Sequence, residues 1–150
     1  MKFGVVCLVI AAFIAISTAV AHLSCIYFGP ACYAAQMAPP EIVASAEAGT
    51  WLAPIGTAIV SAIFVLLGCY ALSAAKILPR LPLLNFGMNA IALACVIRGI
   101  LPIQLWLRLP DRIDTAGLIA GVVWLATGLL FYFGFRAVKH DALEKSHQTH

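Results

Sequence analysis

Four long apolar runs, separated by short polar punctuation, set the pattern of this chain: about residues 3–23, 52–75, 81–107 and 116–135. Each is close to the ~20 residues an α-helix needs to cross a ~30 Å hydrocarbon core. The pattern predicts an all-α polytopic membrane protein. Its form is an antiparallel four-transmembrane-helix bundle, one membrane domain over residues 1–150, with a short interfacial helix in the first external loop. The start of the first run also has the look of a signal peptide, with Lys2, an apolar stretch and Ala19-Val20-Ala21 as an A-x-A site. Because the run continues to spanning length, it is read as the first span. His22-Leu23-Ser24-Cys25 is a poor lipoprotein site, since His22 stands where an aliphatic residue belongs.

The punctuation predicts the connections. Residues 24–51 form the longest, with turn signals at Gly29-Pro30 and Pro39-Pro40. Pro40 suits the first position of a short helix with Glu41 in its first turn, Gly49 suits its stop, and Trp51 is an interfacial anchor. Thr57 and Ser61, one turn apart in the second run, are expected to bond across helices or back to their own carbonyls. Pro79 and Pro82 break the chain between the second and third runs, and Pro102 is expected to kink or end the third. Arg108, Pro110, Asp111, Arg112 and Asp114 mark a brief polar link. The tail, residues 136–150, is polar and expected to fray.

Composition agrees. The chain is 63% hydrophobic and 10% charged, more apolar surface than a water-soluble domain of this length can hide. The net charge of +3 is spread around segment ends and forms no clustered patch for nucleic acid. Lys2, Lys76, Arg80, Arg136, Lys139 and Lys145 fall on one side of the membrane, Arg108 and Arg112 on the other. The positive-inside rule then puts both termini in the cytoplasm and residues 24–51 outside.

Candidate chemistry is sparse. Arg98 lies 17 residues past Leu81, roughly 25 Å along a helix, at the outer level where His22 and Glu47 also fall. An ionisable group in a span calls for a partner. An Arg98–Glu47 pair would tie the external loop to the spans; the alternative is a binding site built from Arg98, Glu47 and His22. Cys25 and Cys32 lie in the external connection on either side of Gly29-Pro30 and are candidates for a disulfide in an oxidising compartment. Gly117, Gly121 and Gly128 form a small-residue face for close helix packing, internal or between copies. No cofactor, metal set or catalytic pair is legible. The spacing of Cys25 and Cys32 is not a redox CxxC, and His22 is the one histidine at a span, so bis-histidine haem needs a second chain. His140, His147 and His150 read as a solvated tail.

Several short motifs carry a resemblance: Ala38-Pro39-Pro40-Glu41-Ile42-Val43, Ala46-Glu47-Ala48-Gly49-Thr50-Trp51, Tyr70-Ala71-Leu72-Ser73, Arg80-Leu81-Pro82-Leu83-Leu84 and Arg98-Gly99. Over about the middle half of its length the chain resembles a family of small four-span bacterial inner-membrane proteins with no assigned activity. The resemblance implies a bacterial inner-membrane setting and brings no chemistry. Two functions remain in competition. The first is a non-enzymatic accessory or structural subunit of a membrane complex, in contact with lipid, other membrane subunits or a second copy through Gly117 and Gly121. The second is a binding or transport protein for a lipid, quinone or small anion at the outer side near Arg98.

Overall fold

The computed structural model describes residues 2–108 and 115–148, all of them helices and their connections. The order is α1 (Lys2–Phe28), α2 (Pro30–Ala35), α3 (Pro40–Glu47), α4 (Leu52–Ala74), α5 (Leu84–Arg108) and α6 (Thr115–Gln148), with no strand among the described residues. Four of these helices are long and apolar enough to cross a membrane. Large apolar side chains such as Phe3, Phe13, Ile59 and Phe86 stand on the surface, more than half exposed. Water disfavours so much apolar surface; lipid accepts it. This is an all-α, multi-pass membrane protein.

The boundaries depart from the apolar runs for local reasons. α1 continues past residue 23 to Phe28, because no residue before Gly29 breaks the helix; Gly29 has φ 77° and its N–H closes on the Cys25 carbonyl. Pro30 then opens α2, a helix the sequence pattern did not separate from its loop. α3 starts at Pro40 with Glu41 in its first turn. α5 begins at Leu84, three residues after the apolar run starts. Pro82 and the left-handed Leu83 (φ 53°) occupy the turn before it. α5 does not end at Pro102 but runs through it to Arg108. The tail expected to fray is instead helical: α6 is one helix of 34 residues reaching Gln148. Between Gly134 and Gln148 the sequence has neither glycine nor proline to stop it. The predicted link through Pro110, Asp111, Arg112 and Asp114 lies outside the described residues.

Two compact units divide the chain, Met1–Phe13 with Cys69–His150, and Ile14–Gly68. In the first, α5 lies along α6 through small residues. A Cβ on Gly121 would stand 3.1 Å from the Gly99 carbonyl oxygen and 3.2 Å from Pro102 Cβ. One on Gly128 would stand 2.8 Å from the Val96 nitrogen and 3.0 Å from the Ala92 oxygen, while Gly99 rests on the Leu125 backbone. Dispersion between closely approaching backbones holds helices together where lipid competes equally for larger side chains. Gly117 is buried on the same helix. The face that Gly121 and Gly128 present is therefore covered by α5. Gly4 and Gly134 bring α1 and α6 together in the same way, each carbonyl within about 3 Å of the other's missing Cβ.

The second unit has its own small core. Cys25, Tyr33 and Ala53 are buried together, with Ala38, Ile42, Val43 and Ala46 packed around them. Three helices in the chain, α2, α3 and α4, end in the same paired 6→1 and 5→2 hydrogen bonds around a left-handed residue. Those residues are Met37 (φ 55°), Gly49 (φ 64°) and Lys76 (φ 63°). Gly49 is the stop the sequence suggests; Met37 and Lys76 occupy a conformation that glycine enters more easily.

Candidate functional site

The connection of residues 24–51 is an ordered cap built around one covalent and several polar ties. Cys25 and Cys32 are joined by a disulfide, with S–S 2.03 Å and Cα–Cα 5.1 Å. The Gln36 side chain donates to the Ala21 carbonyl at 2.7 Å, fastening α2 to α1. Thr57 of α4 donates to the Ala53 carbonyl at 2.7 Å and is hydrogen-bonded to the buried Tyr33 hydroxyl at 3.2 Å. It thus does both things expected of it. Ser61, one turn on, is 2% exposed and its hydroxyl has no hydrogen-bond partner among the described residues.

Ser45 is the polar pivot of the cap. It is 5% exposed, its hydroxyl lies 2.6 Å from Thr50 Oγ1, and it accepts the Ala53 N–H at 2.9 Å. Ala53 is the second residue of α4, so a side chain in α3 satisfies one of the orphan donors at the start of the next helix. No local spacing rule announces this, because the capping residue comes from another helix. Around the cap, Tyr27 (88%) and Trp51 (79%) are the most exposed aromatics, an arrangement suited to a membrane interface.

The three polar groups expected at one outer level divide between the units. His22, half-buried in the second unit, stacks on Phe64 with centroids 5.4 Å apart and planes at 19°. Glu47 is exposed and ends α3 in that same unit. Arg98 belongs to the first unit, where its guanidinium sits 5.9 Å from the centre of the Trp124 ring, within range of a cation–π contact. The signal for Trp124 was legible only in hindsight: a lone tryptophan inside an apolar run reads as a core residue. Arg98 and Glu47 thus belong to different units.

Arg98 is exposed on the protein surface although it lies well inside α5. It stands ten residues before the helix end at Arg108, about 15 Å along the axis. A 25-residue helix is about 37 Å long and overhangs a ~30 Å core by a few Å at each end. Centred on such a core, the helix would carry the Arg98 backbone about 10 Å inside hydrocarbon, deeper than the position counted from Leu81. Pro102, one turn further, has no N–H to offer the Arg98 carbonyl.

In the first unit α6 carries His140, Asp141 and Glu144, whose ligand atoms lie within 4.8 Å of one another. His140 Nδ1 is 3.6 Å from Glu144 Oε1, and both side chains are more than 60% exposed. An exposed turn of this kind is commonly just an i,i+4 pair on a solvated helix. Two clefts flank the same helix, one involving Asn89, Arg136 and His140, the other Lys76, Arg80 and Lys139. Comparison with protein-family models, with curated proteins and with solved structures found no match. Function is therefore argued from the chain's own geometry.

Proposed function

We propose that this protein is a non-enzymatic accessory subunit of a membrane complex, docking through α5 on a transmembrane helix of another protein that presents an acidic side chain to Arg98. One observation carries the reading: Arg98 is exposed at a depth where lipid would surround it. An arginine at the centre of a spanning helix costs about 2.5–3.5 kcal/mol on insertion scales. Trp124 covers one side of the guanidinium; a carboxylate from a neighbouring helix would neutralise it. α5 is also the least covered of the four long helices. Leu93, Ile97, Leu101 and Leu105 stand exposed along it at four-residue spacing, as a helix-contacting stripe would. A bacterial inner-membrane setting with both termini cytoplasmic belongs to the same proposal.

A photo-crosslinking side chain at Leu101, in cells making the protein at native level, tests this. A discrete protein adduct at Leu101, lost on Arg98→Leu and lacking at Phe13 of α1, is the expected result. Adducts indifferent to Arg98→Leu would sink the proposal. The rival reading, a lipid, quinone or small-anion site at Arg98, draws support from the flat Trp124 ring beside the cation. It predicts a small molecule that copurifies with the lone chain and is lost in the same variant.

A further inference from the structure

We propose that the cleft between the carboxy-terminal end of α4, the connection of residues 75–83 and α6 is a binding site for the phosphodiester headgroup of an anionic glycerophospholipid. The cleft encloses about 420 Å³, within the range of small-ligand sites. Lys76 and Arg80 line it from the connection of residues 75–83 and Lys139 from α6, over a floor that includes Leu84, Phe135 and Val138. Among the described residues, none that line it is acidic. Three exposed cations lining one cleft over an apolar floor match a phosphate group whose acyl chains run down into lipid.

Orientation by the positive-inside rule accounts for basic residues at this end, but not for their being held in place. The connection is fixed by side chains. Ser73 donates to the Pro79 carbonyl at 2.9 Å and accepts the Leu81 N–H at 3.0 Å, and the Tyr70 hydroxyl donates to the Pro82 carbonyl at 3.1 Å. Lys76 itself occupies the left-handed position that closes α4, where glycine is the favoured residue. A lysine there is a backbone liability, and the cleft supplies the reason for its side chain. The same position yields a clean variant, since Lys76→Gly removes the charge while easing the turn.

The test uses the full-length protein in a neutral detergent, titrated with phosphatidylglycerol and read as an apparent affinity from the thermal shift. Phosphatidylcholine and inorganic phosphate are titrated in parallel. Each cation removed is expected to weaken phosphatidylglycerol binding about fivefold. Lys76→Gly, Arg80→Gln and Lys139→Gln should all show this, with Lys76→Gly melting no lower than the parent when lipid is withheld. Lys2→Gln, a basic residue outside the cleft, should bind normally. Equal weakening by Lys2→Gln would show diffuse attraction in place of a site and overturn the proposal. An equal shift with phosphatidylcholine, or full affinity in Lys76→Gly, would overturn it as well. A shift reproduced by inorganic phosphate alone would reject a lipid occupant.

Discussion

Removing the Cys25–Cys32 bridge should lower the melting temperature by a calculable amount. The bridge closes a loop with a sequence separation of 7. In the chain-entropy picture a ring of this size withholds about 8 cal/mol/K from the unfolded chain, or about 2.5 kcal/mol at 25 °C. The folded cap keeps its other ties, namely Gln36 on the Ala21 carbonyl and the packing of Tyr33 and Ala53 around Cys25. The cap should therefore loosen and not collapse. Because Cys25 is 1% exposed, alanine is the better replacement; serine would bury a hydroxyl. For a chain of this length about 2.5 kcal/mol corresponds to a fall of about 5–10 °C. The assay is a thermal melt in detergent of the parent and of Cys25→Ala/Cys32→Ala, with and without reductant, beside an alkylation mass measurement. Of the five cysteines, the bridged pair is protected, so in denaturant, which exposes the buried Cys7 and Cys95, three (Cys7, Cys69 and Cys95) should alkylate before reduction and five after it. Reductant should lower the parent's melting temperature to that of the double variant and leave the variant unmoved. An unchanged melting temperature in the variant would refute the energetic reasoning. Five reactive thiols before reduction, in protein from cells with an oxidising exterior, would refute the bridge and invert the proposed orientation of residues 24–51.

Three further outcomes are expected. Ser45→Ala removes the acceptor for the Ala53 N–H and should cost about 1–2 kcal/mol in an unfolding titration, with Thr50→Ala milder. Gly128→Val drives a branched side chain into Val96 and the Ala92 carbonyl and should destabilise by about 1–3 kcal/mol, where Val123→Ala on the exposed face of α6 should be near neutral. With the acidic partner of Arg98 on another protein, a double-mutant cycle of Arg98→Leu and Glu47→Gln in the isolated chain should give additive losses of thermal stability; a double loss smaller than the sum of the single ones would show that Arg98 and Glu47 meet instead.

The proposed orientation is open to a direct measurement. Ala75, at the short link after α4, is 6% exposed, whereas Ile77 is 57% and Tyr27 is 88% exposed. In a cysteine-free background, an impermeant maleimide should label Tyr27→Cys in intact cells and Ile77→Cys only after permeabilisation. The reverse pattern would place the termini outside.

The number, type and approximate limits of the long helices were determined by the sequence alone, because length and apolarity are properties of a segment by itself. The same holds for the short helix opened by Pro40 and stopped by Gly49, whose signals are local backbone constraints. α6 beyond Arg136 marks the limit of such signals: its polarity suggests fraying, but the segment holds no helix breaker and continues a helix already nucleated. What only the tertiary structure decided are the meetings between segments. Periodicity could propose Gly121 and Gly128 as a packing face, but it took the placement of Gly99, Pro102 and Val96 to show α5 as the helix that covers them. Ser45 capping α4, Trp124 beside Arg98, and Lys76, Arg80 and Lys139 around one cleft join residues distant in the chain. Partner choice in such cases depends on helix rotation and connection geometry. No single stretch of sequence encodes these, because a side chain's direction is set by its own helix while its neighbour is set by another.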